Sequence, residues 1–545
     1  MNIFKIIFFV LTVIVSGCSP KEAEVSHVKI IPQPLKLEEN EGHYLLSGKT
    51  KIISKVNTIG EAKYLSLLFR NAFGKELDIL PIGDNGIILN LNPDLKPKLS
   101  DEGYLFKSSS KNIEIEAATK AGIFYGIQTL RQLLPPDFES AVNPVKEIGI
   151  KAVTIMDKPR FVWRAFMLDE ARHFKGKEVV KKLLDQMALH KMNIFHWHLV
   201  DDQGWRIEIK KYPKLTEIGS KRKNSMINGW KSNEFSGKPH EGFYTQNDIR
   251  EIVNYAATRH INIVPEIEMP GHSAAAIASY PYLGTKGEKI DVPVTFGEKY
   301  DIYDVTKPEV ITFLEDVLLE VMDMFPYKVI HIGGDEVDYK IWKNSEWVRK
   351  YMQKNNINSP AELQIFFTNN ISNFIKEHGR RMMGWNEILG GVKLHEYQDA
   401  ADIKSDKKLA AGSIVHFWKG DISLINKAVS EGYDIVNSLH SSTYLDYDYK
   451  SISLKKAYSF DPVPEKLDTA YSKKVLGLGC QMWGEWIPTV EDMEVMVFPR
   501  FSAYAETGWS SNRVKDFKSF KDRLQTMKKR WDNLGIKYAK EELSN

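Results

Sequence analysis

The chain has 545 residues, of which 43% are hydrophobic and 27% are charged, and this is globular composition in a length that favours two or more domains. Its 74 lysines and arginines nearly balance its 71 aspartates and glutamates, and the two signs are interleaved along the chain. The sequence contains no long basic block, which argues against nucleic acid as a partner.

The N-terminus has the pattern of a secretory signal. A lysine precedes an apolar run over 6–15, which is too short to span a membrane comfortably. The following Val-Ser-Gly-Cys resembles a bacterial lipobox, in which cleavage precedes the cysteine and its thiol is acylated. We predict a lipoprotein signal peptide over 1–17, a lipid on Cys18 that anchors the protein to a membrane, and a tether over 18–27. The exported protein is then periplasmic or at the cell surface; an ordinary signal peptide with an incidental cysteine is the alternative.

Residues 28–150 are predicted to form a small α+β domain. Strand-like and helical stretches alternate there, and the clearest helix carries Ile123, Ile127 and Leu130 at helical spacing before two prolines end it. This part of the sequence contains no cluster of residues suited to catalysis. We therefore expect it to be a non-catalytic domain.

A strand–loop–helix pattern repeats through residues 151–512. Amphipathic helices such as Lys177–Lys191 and Pro308–Phe325 separate apolar stretches. The predicted strands are Ala165–Leu168, Asn193–Leu199, Ile261–Glu266, Val329–Ile332, Arg381–Trp385, Ser413–Phe417, Asp434–Asn437 and Val475–Leu478. Eight such units predict an α/β protein with a catalytic (β/α)8 TIM barrel, followed by a helical segment over 513–545.

The fourth of these strands leads into two glycines and the adjacent carboxylates Asp335 and Glu336. Two carboxylates in a confined site repel each other, so one of them tends to keep its proton near neutral pH. A protonated carboxyl beside an ionised one is what acid-catalysed cleavage of an acetal requires. A helix N-terminus lined with acids is the structural alternative.

Further polar and aromatic residues follow the other strands, at the face where barrel enzymes place their active sites. Carboxylates accept hydrogen bonds from hydroxyls and indoles stack on sugar rings, so this mixture suits a neutral polyhydroxyl ligand. The residues are Asp169, Arg172, His173, His196, His198, Asp201, Asp202, Trp205, Glu266, Glu268, His272, Trp385, Asn386, Glu387, His416, Trp418, Tyr444, Asp446, Gln481, Trp483, Glu485 and Trp486.

Six motifs occur in a fixed order along this region. They are LDEARHF (168–174), FHWHLVDDQGW (195–205), PEIEMPGH (265–272), HIGGDE (331–336), GWNE (384–387) and QMWGE (481–485). Together they resemble glycoside hydrolase family 20, the β-N-acetylhexosaminidases. Residues 31–34 and 122–130 are similar to that family's non-catalytic N-terminal domain, so the resemblance covers nearly all of the chain after the tether.

The resemblance implies exo-acting, retaining hydrolysis of terminal β-linked N-acetylhexosamine, in which the substrate's 2-acetamido oxygen attacks the anomeric carbon to give an oxazoline-type intermediate. It implies that Glu336 is the general acid and then the base, that Asp335 orients the acetamide N–H, and that Tyr444 binds the acetamide carbonyl. It also implies a relay in which Asp201 orients His272 against Glu336.

Five more residues are implied to bind the substrate, a glycan or glycoconjugate that ends in such a sugar. Arg172, Asp446 and Glu485 would hold the ring hydroxyls, and Trp385 and Trp483 would wall the acetamide and the ring. Arg172 could also form a salt bridge to Asp169 or Asp201. The sequence departs from some relatives where a further wall tryptophan precedes Asp-Pro, because Tyr458 or Phe460 stands there.

Two other functions compete with this interpretation. His196 and His198 have the His-x-His spacing of some zinc sites, which would suit a metal-dependent hydrolase. We interpret them as hydrogen-bonded structural histidines and expect neither a metal nor another cofactor. The second alternative is a tethered glycan-binding protein without activity, and turnover of a nitrophenyl β-N-acetylglucosaminide would discriminate against it.

Overall fold

The computed structural model describes residues 28–140, 145–297 and 300–540. The predicted signal peptide, Cys18 and the tether lie outside these residues. Within the described part of the chain, none of the helices combines the length and apolar character needed to cross a membrane.

The first domain is a seven-stranded mixed sheet with helices packed on it. Its strand order is β1-β7-β5-β6-β4-β2-β3. The elements are β1 (Lys36–Ser47), β2 (Ile52–Ser54), α1 (Ile59–Phe73), β3 (Ile79–Leu80), β4 (Ile87–Leu91), α2 (Lys96–Leu99), β5 (Tyr104–Ser108), β6 (Ile113–Ala117), α3 (Lys120–Leu133) and β7 (Glu147–Asp157).

The last strand of this sheet crosses the domain boundary that we placed between residues 150 and 151. Residues from Glu147 to Met156 pair with β1 on one side, and residues from Thr154 to Asp157 pair with β5 on the other. The structure therefore ends the first domain at Asp157, because the hydrogen bonds of β5 require partners beyond residue 150.

The second domain is a closed barrel of eight parallel strands, in the order β16-β17-β18-β19-β20-β21-β8-β9. The strands are β8 (Trp163–Asp169), β9 (Ile194–His198), β16 (Asn262–Glu266), β17 (Val329–His331), β18 (Arg381–Trp385), β19 (Ile414–Phe417), β20 (Asp434–Asn437) and β21 (Val475–Met482). This confirms the predicted α/β class, with a (β/α)8 barrel preceded by a small α+β domain.

Helices and short hairpins connect and surround these strands. The helices are α4 (Lys177–Leu189), α5 (Lys214–Glu217), α6 (Gln246–Ala257), α7 (Ala274–Ser279), α8 (Pro308–Met324), α9 (Tyr339–Asn344), α10 (Glu346–Lys354), α11 (Pro360–Glu377), α12 (Ala400–Ile403), α13 (Ser423–Ser430), α14 (His440–Thr443), α15 (Leu454–Ser459), α16 (Val490–Val497), α17 (Arg500–Trp509) and α18 (Phe517–Asn533). The short strands after β9 are β10 (Val200–Asp201), β11 (Gly204–Trp205), β12 (Lys221–Arg222), β13 (Met226–Ile227), β14 (Glu234–Phe235) and β15 (His240–Glu241).

Alternation of side chains along each strand divides the barrel interior into layers. The lower layer is apolar and contains Ala165, Ile194, Val264, Val329, Met383, Ile414 and Val436. The side chains two residues further along the same strands form a buried layer of mixed polarity, with Met167, His196, Glu266, His331, Trp385, His416 and Ser438. Trp385 of this layer is itself a predicted substrate-binding residue, and the other predicted catalytic and substrate-binding residues follow at or beyond the carboxyl ends of the strands.

Buried ion pairs join the two domains. Lys191, which follows α4, lies 3.0 Å from the Asp157 carboxylate of β7, and both side chains are fully shielded from solvent. Arg164 of β8 forms a second pair with Glu102 of the first domain at 2.7 Å. These contacts attach the first domain to the end of the barrel that is opposite the predicted site.

The C-terminal helix α18 packs against both domains. Arg523 donates a hydrogen bond to the carbonyl of Ile30 at 2.7 Å, and the indole N–H of Trp531 donates to Gln186 of α4 at 3.1 Å. α18, which lies within the helical segment predicted over 513–545, therefore braces the junction between the domains.

Candidate active site

Three residues that follow β17 have a left-handed backbone conformation, and they turn the chain toward the site. Gly333, Gly334 and Glu336 have φ angles of 65°, 93° and 50°. A Cβ atom on Gly333 would lie 1.7 Å from Oε2 of Glu268, so the buried carboxyl leaves room for glycine alone. A positive φ is uncommon for glutamate, and here it turns the chain directly after Asp335.

The two consecutive carboxyl groups lie in different environments. The side chain of Asp335 is 12% exposed, whereas that of Glu336 is 32% exposed. Within the described chain, the buried Oδ1 atom of Asp335 has no hydrogen-bond partner. Burial, opposed by His272, raises the pKa of Asp335 to about 7. The buried Asp335 carboxyl can thus accept a hydrogen bond from a ligand, and the Glu336 carboxyl is accessible for proton transfer.

His272 connects this carboxyl pair to a second pair of acids. Its Nδ1 atom lies 3.2 Å from Oδ1 of Asp201 and 3.2 Å from Oδ2 of Asp202. Its Nε2 atom lies 3.7 Å from both Asp335 Oδ2 and Glu336 Oε2. Burial disfavours the charged imidazole, but Asp201, Asp202 and Asp335 together outweigh that effect, and the pKa of His272 is raised well above its usual value. The predicted relay is therefore present in geometry, with Asp202 as a further member.

Arg172 is held by three polar side chains. Its guanidinium lies 2.8 Å from Asp201 and 3.1 Å from Asp169, and its Nε donates to Gln203 at 3.1 Å. The nearest oxygen of Glu485 is 3.9 Å away. Arg172 therefore forms the predicted salt bridges and also lines the cavity that contains Glu336, while its role in binding a ring hydroxyl stays a prediction.

That cavity has a volume of about 430 Å³. Charged, polar and aromatic side chains line it: Arg172, Asp202, Gln203, Trp230, His272, Phe296, Glu336, Asp338, Lys340, Tyr397 and Glu485, with Gly297. Of the remaining predicted residues, Asp201 and Trp483 contact Arg172, and Asp335 lies 3.7 Å from His272.

Asp446 and Glu485 form a second group of shielded acids. Among the described residues, no hydrogen-bond donor reaches the buried Oδ1 atom of Asp446. Burial, reinforced by Glu485, raises the pKa of Asp446 to about 8. Burial also raises the pKa of Glu485, although Arg172 opposes the change. These carboxyls are poised to receive hydrogen bonds from a ligand with several hydroxyls.

An aromatic box lies beside Asp335. Trp385, Tyr444 and Trp483 pack together, and Trp418 stacks on Tyr444 with a ring separation of 6.1 Å and an interplanar angle of 8°. The indole N–H of Trp385 donates to Glu266 at 2.7 Å, which anchors this wall to the barrel interior. Trp418 was noted after the sixth strand but given no role, and the structure places it in the same box.

The sequence left the shape of the outer wall open between Tyr458 and Phe460, and neither residue is among those that line the cavity. Tyr458 is directed away from the cavity and donates to Glu506 at 2.9 Å, while Phe460 is buried at 8% exposure. Trp230, between β13 and β14, lines the cavity instead; it is 57% exposed and its ring lies 5.3 Å from that of Trp486. The surrounding irregular loop gave no periodic signal that could have identified Trp230.

Histidines beneath the aromatic box share one buried carboxylate. Oε2 of Glu266 lies 2.9 Å from His196 Nε2 and 2.6 Å from His198 Nδ1, and its Oε1 lies 2.9 Å from His331 Nδ1. His196 and His198 are thus bound to Glu266, as expected of structural histidines. Three groups bring metal-ligand atoms within 4.8 Å of one another, namely His196–Glu266–His331, His198–Glu266–Glu268 and Asp201–Asp202–His272. Nε2 of His196 has no hydrogen-bond partner among the described residues, whereas Nδ1 of His272 lies 3.2 Å from both Asp201 and Asp202.

A parallel eight-stranded barrel whose strand ends bring together an accessible acid, a buried acid, a histidine and several tryptophans is typical of a glycoside hydrolase. Comparison with known proteins identifies which one. The glycosyl hydrolase family 20 catalytic-domain model matches residues 161–512, and that family's domain 2 matches residues 27–158. The chain belongs to glycosyl hydrolase family 20.

Relatives with known names are β-hexosaminidases. That of Porphyromonas gingivalis is 35% identical over 544 residues, which cover 96% of this chain and 66% of the relative. That of Vibrio furnissii is 32% identical over 500 residues, or 89% of this chain and 77% of the relative. The solved β-N-acetylhexosaminidase of Streptomyces coelicolor superposes with a TM-score of 0.79 at 29% identity, covering 94% of this chain and 97% of that one. These matches confirm the predicted family and make the protein a glycoside hydrolase of the β-N-acetylhexosaminidase class.

Replacement of Gly333 by alanine tests the geometry at the end of β17. The added methyl group would collide with Glu268 and shift the carboxyl pair, and a displacement of about 1 Å can cost roughly 10²-fold in rate. We expect Gly333→Ala to lower kcat/KM on a nitrophenyl β-N-acetylglucosaminide by about that factor. Gly42→Ala is the matched control, because Gly42 has a φ of 87° with no atom within 4 Å of the added Cβ. Unchanged kcat/KM in Gly333→Ala would contradict this account.

Proposed function

We propose that the protein removes terminal, non-reducing β-linked GlcNAc or GalNAc residues from glycans with retention of configuration, using the substrate's own 2-acetamido oxygen as the nucleophile. One observation carries the proposal. Asp335 is buried beside the accessible Glu336, and its Oδ1 atom lacks a partner among the described residues. The N–H group of a substrate acetamide would donate this hydrogen bond to Asp335. A sugar without an amide has no such donor, so the buried acceptor favours an N-acetylated substrate.

Glu336 performs the proton transfers. In the first half of the reaction it donates its proton to the glycosidic oxygen, while the acetamide oxygen forms a bond to the anomeric carbon and the leaving group departs. In the second half, the Glu336 carboxylate removes a proton from the water that opens the oxazoline-type intermediate. Its 32% exposure and its position on the cavity wall allow both the leaving group and the water to reach it.

Asp335 and Tyr444 hold the nucleophile. As the acetamide oxygen attacks, positive charge develops on the amide, and a preorganised carboxylate beside that charge lowers the barrier. Fixing the acetamide in the box formed by Trp385, Trp418 and Trp483 removes an entropic cost of cyclisation. Tyr444 is buried at 6% exposure inside this box and serves as the donor to the acetamide carbonyl.

The sugar ring is held by Arg172, Asp446 and Glu485. The guanidinium and the two shielded carboxyl groups present both donors and acceptors to the ring hydroxyls. Because Arg172 is fixed by Asp169 and Asp201, it is preorganised before a substrate arrives. The proposed partner is thus an oligosaccharide or glycoconjugate with a terminal β-N-acetylhexosamine, and the proposed reaction needs no cofactor.

The pH dependence of kcat/KM tests these assignments. Asp335 must be ionised, and its raised pKa places the acid limb near pH 7 instead of about pH 4, the usual range of aspartate. Activity rises with pH through this limb and falls at alkaline pH as Glu336 loses its proton. We expect Asp335→Asn to remove the acid limb and to lower kcat by roughly 10²-fold or more. We expect Glu336→Gln to remove the alkaline limb together with most of kcat.

The measurement uses GlcNAc- and GalNAc-ended oligosaccharides, with NMR detection of the first anomer released. A profile that stays flat from acid to alkaline pH while chemistry limits the rate would refute the roles of both carboxyls. Binding of these oligosaccharides without turnover would instead favour the glycan-binding alternative.

We further propose that the protein is an exported lipoprotein, held at the periplasmic or outer face of a membrane by a lipid on Cys18. The support is the sequence pattern alone, with a short apolar run followed by Val-Ser-Gly-Cys and a polar stretch. Such an anchor leaves the barrel free to meet glycans from the surroundings.

Replacement of Cys18 tests the anchor. A Cys18→Ser variant has no thiol to acylate, so we expect it to leave the membrane fraction while the wild type remains there. Mass spectrometry of the wild-type N-terminus should find a lipidated residue 18. A soluble wild type that begins elsewhere with an unmodified residue would contradict the proposal.

A further inference from the structure

The loop over 386–413, between β18 and β19, reaches over the acid Glu336. It carries His395, whose side chain is 4% exposed. The Nδ1 atom of His395 lies 3.7 Å from Oε1 of Glu336, and Nε2 of His272 lies 3.7 Å from Oε2. A histidine therefore faces each oxygen of the acid, although the sequence motifs assign only His272.

The hydrogen bonds of His395 determine where its proton lies. The Lys419 ammonium is 3.1 Å from His395 Nδ1, and an ammonium can only donate, so Nδ1 is the acceptor. The proton of the neutral ring is then on Nε2, which donates to Oε1 of Glu387 at 3.1 Å. The indole of Trp418 donates to the other oxygen of Glu387 at 2.9 Å, and the Tyr397 ring stacks on His395 with centroids 5.1 Å apart. The imidazole is consequently fixed in one tautomer and one orientation.

We propose that His395 is a second positioning residue for Glu336. It lies between the Lys419 ammonium and Oε1 of Glu336, and it transmits the effect of that positive charge to the acid. This inference rests on the proposed function. When Glu336 gives its proton to the glycosidic oxygen, a carboxylate forms, and a cation held nearby stabilises it. Glu336 stays ionised until it removes a proton from the attacking water. The nearby positive charge therefore acts in both halves of the reaction.

The two flanks of Glu336 differ in charge. On the Oε2 side, His272 is backed by the two carboxylates Asp201 and Asp202. On the Oε1 side, His395 is backed by one carboxylate, Glu387, and by the Lys419 ammonium. The His395 side thus supplies the more positive environment as the acid ionises. The other charged or titratable groups that face Glu336 or line its cavity are Asp335, Tyr397, Arg172, Asp338, Lys340 and Glu485.

Three variants and one control test the inference in the full-length enzyme. His395→Ala removes the link, Lys419→Met removes the charge, and His395→Gln keeps one acceptor for Lys419 and one donor for Glu387. Lys427→Met is the control, because this exposed lysine of α13 lies outside the cavity lining. The alkaline limb of kcat/KM is measured together with kcat on a GlcNAc disaccharide, and a melting curve verifies folding.

An opposite charge close to a carboxyl lowers its pKa by about 1–3 units, and Lys419 acts on Glu336 through His395 at contacts of 3.1 and 3.7 Å, so loss of the charge should move the alkaline limb upward by about one pH unit. We expect this shift in His395→Ala and Lys419→Met, with a roughly tenfold fall in kcat, which is a fraction of what proton transfer contributes. His395→Gln should restore most of kcat, and Lys427→Met should match the wild type.

A fall in kcat with an unmoved alkaline limb would reduce His395 to structural support of the loop and overturn the inference, as would wild-type behaviour of Lys419→Met. If His395→Ala fails to fold, Lys419→Met and His395→Gln decide the matter. The wild type is assayed first on N-acetylated substrates. If it shows no turnover, the proposed function itself is overturned, and this result is separate from any comparison of variants.

Discussion

The site depends on one electrostatic constraint: a carboxyl group is buried directly beside a second carboxyl that remains accessible. Removing a carboxylate from water without a full set of partners is costly, and the raised pKa of Asp335 reflects that cost. The turn that places Asp335 beside Glu336 has a left-handed backbone at Gly333, Gly334 and Glu336. A ligand that donates to Asp335 and develops positive charge beside it relieves the constraint, so the apo site is complementary to a charged transition state.

The rest of the barrel is organised to hold that arrangement in place. Glu266 lies within 2.9 Å of nitrogen atoms of three histidines and accepts a hydrogen bond from Trp385, which ties the floor of the site to the aromatic box. An apolar layer closes the barrel beneath it. His272 and His395 then approach Glu336 from loops that follow different strands, so the acid is positioned by the whole rim of the barrel.

Much of this could be predicted because the signals are local. Strands β18 and β20 have the bounds that their apolar runs indicated, and the adjacency of Asp335 and Glu336 is a property of the sequence itself. Other features depend on contacts between residues that are far apart in the sequence, and the hydrophobic periodicity of the sequence does not reveal these contacts. The extension of β7 to Asp157 depends on pairing with β1 and β5, and Trp230 and His395 reach the cavity on irregular loops. The sequence left the outer wall open between Tyr458 and Phe460, and the hydroxyl of Tyr458 donates to Glu506 of α17.

The most direct test of the account measures kcat/KM for nitrophenyl β-glycosides whose 2-acetamido group carries zero, one, two or three fluorine atoms. Each fluorine withdraws electron density from the carbonyl oxygen, so an enzyme that uses this oxygen as its nucleophile should slow steeply and monotonically along the series. A rate that is insensitive to fluorination, together with a covalent glycosyl ester on a protein carboxylate, would contradict the account.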